Sequence, residues 1–275
     1  MSRTGGREDR RPDRDEPTVR DDAIMIWKRG AEEQTSVRYE DGLLYPGDLV
    51  AHPNPDMSLQ DAILTRRTVR AYRPEPVPYE LFQQLVETSM NAPTACDEQR
   101  WKIIYIDDPA VLQDLYERGS AAALTKAKQA FLVTYNRYTD NLHYLDHVQS
   151  AAAFITTFSL VAHSVGVGSC WIGHLPNKSE VSRMFDIHPK FEPVALVTFG
   201  YYRDRMKMRP RKRSAAQIVF RNRFVREGLD FSKAKNVPLR IVLRGIYYAL
   251  PPFLRRRLRK YSLKHEKKFY NEIHD

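Results

Sequence analysis

The segment Thr65–Tyr72, TRRTVRAY, crowds Arg66, Arg67 and Arg70 around Thr68. Such a set suits a small phosphate dianion. Guanidinium groups supply forked, charge-assisted N–H donors, and the threonine hydroxyl adds a neutral one. The plainer alternative is a solvated basic helix end. A second polar piece follows at Asn91–Trp101, NAPTACDEQRW, a proline-containing loop that ends in Gln-Arg-Trp. Other chemistries find little support. Cys96 and Cys170 lack metal-ligand spacing, and His143, His147, His163 and His174 share none with carboxylates or cysteines. No Ser/His/Asp set stands out, as expected where a cofactor carries the chemistry.

Helices and strands must hold these pieces in place. Ser58 signals an N-cap for a helix through Leu64. Leu81, Phe82, Leu85 and Val86 recur at helical spacing, which predicts an amphipathic helix over Tyr79–Asn91, ended by Pro93. Lys102–Ile106 is β-branched and aromatic and reads as a strand. Pro109, with Leu112, Leu115 and Tyr116 behind it, starts another helix. Phe131–Tyr135 and Pro193–Tyr201 read as strands. Helices between non-consecutive strands predict an α+β fold. His147–Asn177 contains no Asp, Glu, Lys or Arg. Crossing a bilayer takes about 20 apolar residues. Here the apolar part, Ala151–Ala162, is short and holds Thr156, Thr157 and Ser159, and Gly166 and Gly168 end the helix. A helix apolar on all sides is a core helix.

Four segments stand in order: TRRTVRAY, PVPYELFQQLVETSMNAPTACDEQRWKIIYI, AAAFITTFSLVAHSVGVGSCWIG and PVALVTFGYY. Together they resemble the FMN-dependent nitroreductase family over about Ser58 to Arg213. The resemblance implies a nitroreductase-like fold, a mixed, mainly antiparallel central sheet flanked by helices. It implies a homodimer with the uncharged helix at its centre and FMN in the dimer interface. The implied chemistry is ping-pong electron transfer from NAD(P)H through the flavin to a small acceptor. By matching position, Arg66, Thr68 and Arg70 bind the FMN phosphate and ribityl chain. Arg67 sits where the family varies. Arg211 and Arg213, in MRPRKRS, close on the same phosphate, or else that run is a solvated linker.

In the loop, Thr94, Gln99 and Trp101 fit the family's Ser-x-x-Asn-x-Gln-Pro-Trp pattern. Asp97 replaces the Asn that faces the flavin ring, and Arg100 replaces Pro. An ionised Asp only accepts hydrogen bonds, whereas Asn also donates. A carboxylate there opposes an anionic reduced flavin. The alternatives are an Asp97 that faces solvent or pairs with Arg100. Cys170, Trp171, Ile172 and Gly173 correspond to the segment along the isoalloxazine ring, where glycine allows close backbone approach. Cys170 itself reads as a small buried hydrophobe rather than a redox group. Reductive dehalogenation and biosynthetic dehydrogenation are alternative activities of the same fold. A non-catalytic flavin-binding or membrane-surface scaffold is the rival of another class.

The chain has 275 residues and is 42% hydrophobic, enough for one large domain with tails. Residues 1–21 read as a disordered tail, 22–57 as an N-terminal extension, 58–213 as the FMN-binding domain and 214–275 as a basic C-terminal extension. The opening MSRTGGREDRRPDRDEP has no apolar core, so it is no signal peptide. Two cysteines are too few for a disulfide framework, and a reducing cytoplasm fits. Residues 203–275 hold 22 Lys or Arg against 6 Asp or Glu, while residues 1–202 hold 22 against 28. The net charge of +10 therefore belongs to the C-terminal quarter. There VPLRIVLRGIYYALPPFLRRRLRKY, Val237–Tyr261, places apolar and aromatic residues before five cations. The apolar part reads as an arm packed on the other subunit. The basic part leaves open a contact with an anionic membrane surface. The same charges could meet nucleic acid, but no recognition motif accompanies them and no such partner is expected.

Overall fold

Short-range sequence signals set most element boundaries in the computed structural model, which describes residues 39–40, 43–44, 57–138, 141–202, 213–224, 237–251, 253–255 and 257–258. The elements are β1 (Tyr39–Glu40), β2 (Leu43–Leu44), α1 (Leu59–Thr65), α2 (Tyr79–Ser89), β3 (Trp101–Ile106), α3 (Pro109–Glu117), β4 (Gln129–Asn136), α4 (Asp146–Ser164), β5 (Val167–Ile172), α5 (Lys178–Met184), β6 (Phe191–Tyr201) and α6 (Val237–Ala249). The Ser58 side chain accepts from the Asp61 N–H and caps α1. Asp108 caps α3 through the Ala110 N–H, with Pro109 at the first helical position. Both starts follow from orphan N–H groups finding an oxygen. The chain divides into Met1–Ser36 and Val37–Asp275. The first unit, and with it the disordered-tail expectation for residues 1–21, lies outside the described residues.

Four strands form one sheet in the order β3-β4-β6-β5. Every ladder in it is antiparallel. Among the described residues, the mixed character expected from the resemblance enters through an isolated parallel bridge between Thr68 and Ser169. Alternation along β4 sends Phe131, Val133 and Tyr135 to one face and Ala130 and Leu132 to the other. On the first face α2 and α4 pack, with Phe82, Phe131, Phe158 and Phe199 meeting ring to ring; Phe131 and Phe158 lie 4.5 Å apart edge-on. On the second face Leu112 and Leu115 of α3 and Val181 of α5 cover Leu132, Ile172 and Leu196. The result is helix, sheet and helix in three layers.

Helix α4 departs from the expectation of apolar burial on all sides. Its buried stripe includes Ala151, Phe154, Ile155, Phe158 and Ala162. Ala152, Ala153, Thr157, Leu160 and Val161 on the remaining surface are half-buried, and Thr156 is exposed. The hydroxyls of Thr156 and Thr157 donate back to Ala152 O and Ala153 O, so that surface offers little free polarity. Gly166, at φ 77°, takes the left-handed conformation that ends the helix.

Candidate functional site

Strand β5 is the edge of the sheet, and the arginine-rich segment lies along it. Thr68 bridges Ser169, and the Val69 N–H donates to Ser169 O at 3.0 Å. Farther on, Tyr72 Oη donates to Val69 O and Thr198 O, and the Arg73 N–H donates to Tyr201 O at 2.7 Å. The segment is thus sewn to β5 at one end and to β6 at the other. The close fit depends on Gly168. A Cβ there would stand 2.6 Å from Val69 Cγ2 and 2.7 Å from Tyr202 Cδ1. This glycine serves the seating of Val69, and at Gly173 a Cβ would meet nothing within 4 Å.

Docking on the edge strand sets Thr68 opposite Ser169 and the Arg70 charge beside Cys170, while Arg66 and Arg67 face His163. Thr68 is exposed, and the three arginines are partly so. Arg67 is committed to the backbone, donating to Leu64 O at 2.8 Å and Arg66 O at 2.7 Å. Trp171 is 44% exposed, whereas Cys170 and Ile172 point into the core. Burial pushes the Cys170 thiol up, against the opposing pull of the Arg70 charge. That environment is the inert, hydrophobe-like one expected from sequence. His163 is the residue that motif matching passed over. Its Nε2 lies 2.8 Å from Thr65 Oγ1, immediately before the arginines. Burial first, then the charges of Arg66 and Arg67, lower its pKa from 6.5 to about 4. The Arg66 and Arg67 charges that add to this effect of burial are charges an anion would also meet.

The second polar piece sits elsewhere. The Ala95 N–H donates to Ser150 Oγ and Trp101 Nε1 donates to Ser150 O, which fastens the loop to the first turns of α4. Cys96, Asp97 and Gln99 all take positive φ, 51°, 53° and 49°. Three non-glycine residues held there mark a strained loop. Thr94 Oγ1 accepts from the Gln99 N–H, and Gln99 Nε2 donates to Asp97 Oδ1 at 2.7 Å. Asp97 is exposed. Arg100 pairs with Glu98 at 3.3 Å and donates to Tyr138 O, so the pairing weighed for it with Asp97 does not form. Beside this loop end an open hollow of about 440 Å³ is lined by Arg137, Tyr138, Leu145, His147, Lys178 and Glu192 among others.

Within one chain these two sets are therefore apart. The loop is held at Ser150 and the arginine cluster at His163, 13 residues along one helix, which is about 20 Å at 1.5 Å per residue. Arg213 is exposed, and Arg211 lies outside the described residues. No group of His, Cys, Asp and Glu suited to a metal occurs among the described residues.

A protein from Methanothermobacter thermautotrophicus, named as an NADH dehydrogenase/NAD(P)H nitroreductase, is 30% identical over 149 residues, 53% of this chain and 78% of that one. Two solved structures share the fold. NfrA2 of B. megaterium aligns with TM-score 0.57 at 18% identity, covering 70% of this chain and 85% of its own. An FMN-dependent nitroreductase from Clostridium difficile R20291 aligns with TM-score 0.52 at 20% identity, covering 59% and 98%. The Nitroreductase family itself matches over residues 63–139 and 116–201, half of the chain, and this chain belongs to that family.

Proposed function

We propose that this oxidoreductase binds FMN and passes electrons from NAD(P)H through it to a small organic acceptor by a ping-pong mechanism. The observation that carries the reading is the Thr68–Ser169 bridge, which lays the arginine cluster against the edge strand. The residues fit the cofactor's phosphate end. Arg66 and Arg70 supply charge and Thr68 an exposed hydroxyl. Arg67, turned to backbone carbonyls, supports the turn instead. When bound, FMN supplies the hydride and electron transfer. The chain's part is to hold the phosphate, present the open side of β5 past Ser169, and keep Trp171 and Gly173 clear for a flat ring. The relatives' names favour a nicotinamide reductant and FMN.

A homodimer belongs to the same reading. The loop at Thr94–Gln99 and the arginines at Arg66–Arg70 sit at opposite ends of α4, so a second copy packed antiparallel along α4 would bring one set of each together. The half-covered surface of α4 is suited to that contact.

The test is a visible spectrum of purified protein. A yellow protein, bleached without oxygen by NADH or NADPH and recoloured by a quinone or nitroaromatic, is the expected result. A colourless protein that also fails to take up added FMN overturns the reading.

A further inference from the structure

Helix α6 carries an apolar stripe that nothing among the described residues covers. Leu239, Val242, Leu243 and Ile246 follow the i, i+3, i+4, i+7 spacing of one helix face, and each is more than half exposed. Phe253, just past the helix, is 69% exposed. The far end is fastened. Arg255 is buried; its Nη1 and Nη2 both donate to Glu180 Oε2 at 3.1 Å, and it also reaches Arg118 O and Leu250 O. Tyr247 lies over Gly119, its hydroxyl 3.5 Å from where a Cβ would stand. The first of the five cations in Arg255–Lys260 is therefore a clamp onto α3 and α5, and the stripe is held out from the body.

We infer that α6 docks the protein onto an anionic lipid surface. The stretch from Phe231 to His265 holds ten Lys or Arg and no Asp or Glu. An aliphatic stripe with charge of one sign suits the boundary between acyl chains and anionic headgroups. A dry protein groove would have to desolvate those cations, whereas anionic headgroups meet them at a wet boundary. The helix is too short to cross. Its 13 residues reach about 20 Å against a hydrocarbon core of about 30 Å. No helix among the described residues is long and apolar enough to cross a membrane.

The test uses the full chain and co-sedimentation with vesicles of phosphatidylglycerol and phosphatidylcholine, against phosphatidylcholine alone. Sedimentation only with the anionic vesicles, weakened by salt, is expected. Leu239→Gln with Ile246→Gln should weaken it more than tenfold, and Arg257→Gln, at an exposed position, about fivefold. Fold and flavin absorbance should stay unchanged in both variants. Failure to sediment with anionic vesicles, or equal sedimentation with both lipids, overturns the inference. Dissociation of a dimer by the Leu239/Ile246 variant with vesicle binding retained also overturns it, and assigns the stripe to a second copy. Flavin content reads the proposed activity independently.

Discussion

Thr65 Oγ1 and His163 Nε2, 2.8 Å apart, join the last residue of α1 to the last turn of α4. The threonine hydrogen is directed to Asp61 O at 2.6 Å, so its oxygen accepts from the ring. This assigns His163 the neutral tautomer with hydrogen on Nε2. The bond fixes the chain's exit from α1 just before the arginines, and burial, aided by the Arg66 and Arg67 charges, keeps the ring neutral.

That coupling makes stability depend on pH with a definite sign. The folded pKa of His163, about 4, lies below the ordinary 6.5, so between these values the unfolded chain binds the extra proton. Stability contributed by the neutral ring is complete above about 6.5 and is lost as pH falls toward 4, to a limit of about 3 kcal/mol. His163→Gln keeps a donor for Thr65 and removes the titration. Urea unfolding at pH 7 and pH 4.5 should show a smaller loss for this variant than for the parent. Equal losses would mean His163 titrates normally. A phosphate-bearing ligand on the arginines should also reduce the parent's loss.

Much of the fold could be read along the chain because its signals are local. Ser58, Pro109 and the spacing Leu81, Phe82, Leu85, Val86 mark elements that form as expected. The segment that the resemblance lays along a flavin ring forms strand β5. Its pairing with β6 depends on residues some 30 positions away, such as Thr198 opposite Cys170. The arginine cluster was visible as residue types, whereas its seat on β5 rests on a contact between Gly168 and Val69 that no periodicity reveals. His163 was visible as a histidine in an uncharged stretch, but its partner Thr65 lies 98 positions earlier. Arg255 read as one more surface cation because its partner, Glu180, is distant in sequence.

Gly168 should be intolerant of any side chain. A Cβ 2.6 Å from Val69 Cγ2 and 2.7 Å from Tyr202 must push the arginine segment off β5. Overpacking of this kind costs about 1–3 kcal/mol. Gly168→Ala should lower the melting temperature by several degrees and weaken FMN binding. Adding Val69→Ala should recover part of both. No recovery in the double variant would show that Val69 is not the obstructing partner.

The clamp under α6 should show the asymmetry of buried ion pairs. Arg255 and Glu180 side chains are 6% and 8% exposed. Arg255→Met leaves the Glu180 carboxylate buried with only the Arg118 contact at 3.3 Å. Breaking one partner of such a pair costs about 3–5 kcal/mol, and the remaining contact favours the lower end. Arg255→Met with Glu180→Gln should be less damaging than Arg255→Met alone. Chemical denaturation of the two variants compares them directly, and equal loss would mean the uncompensated carboxylate is not the cause.

The separation of loop and arginine cluster along α4 leads to a complementation experiment. One variant chain carries Arg66→Ala and Arg70→Ala, removing two charge-assisted bonds of about 1.5–3 kcal/mol each. The other carries Thr94→Ala and Gln99→Ala, which removes the hydroxyl that accepts from the Gln99 N–H and the side chain that donates to Asp97. Each homodimer alone should lose most of its flavin and its NAD(P)H oxidation. Suppose each site takes its arginines from one chain and its loop from the other. A mixed dimer then contains one site with both sets altered and one with both intact. Equal mixing with full exchange makes half the dimers mixed, so about a quarter of wild-type sites and activity should return. If each site were built within a single chain, every site in the mixture would carry a defect. Activity that stays at the level of the separate variants, with exchange shown by mass, would therefore overturn a site shared between two chains.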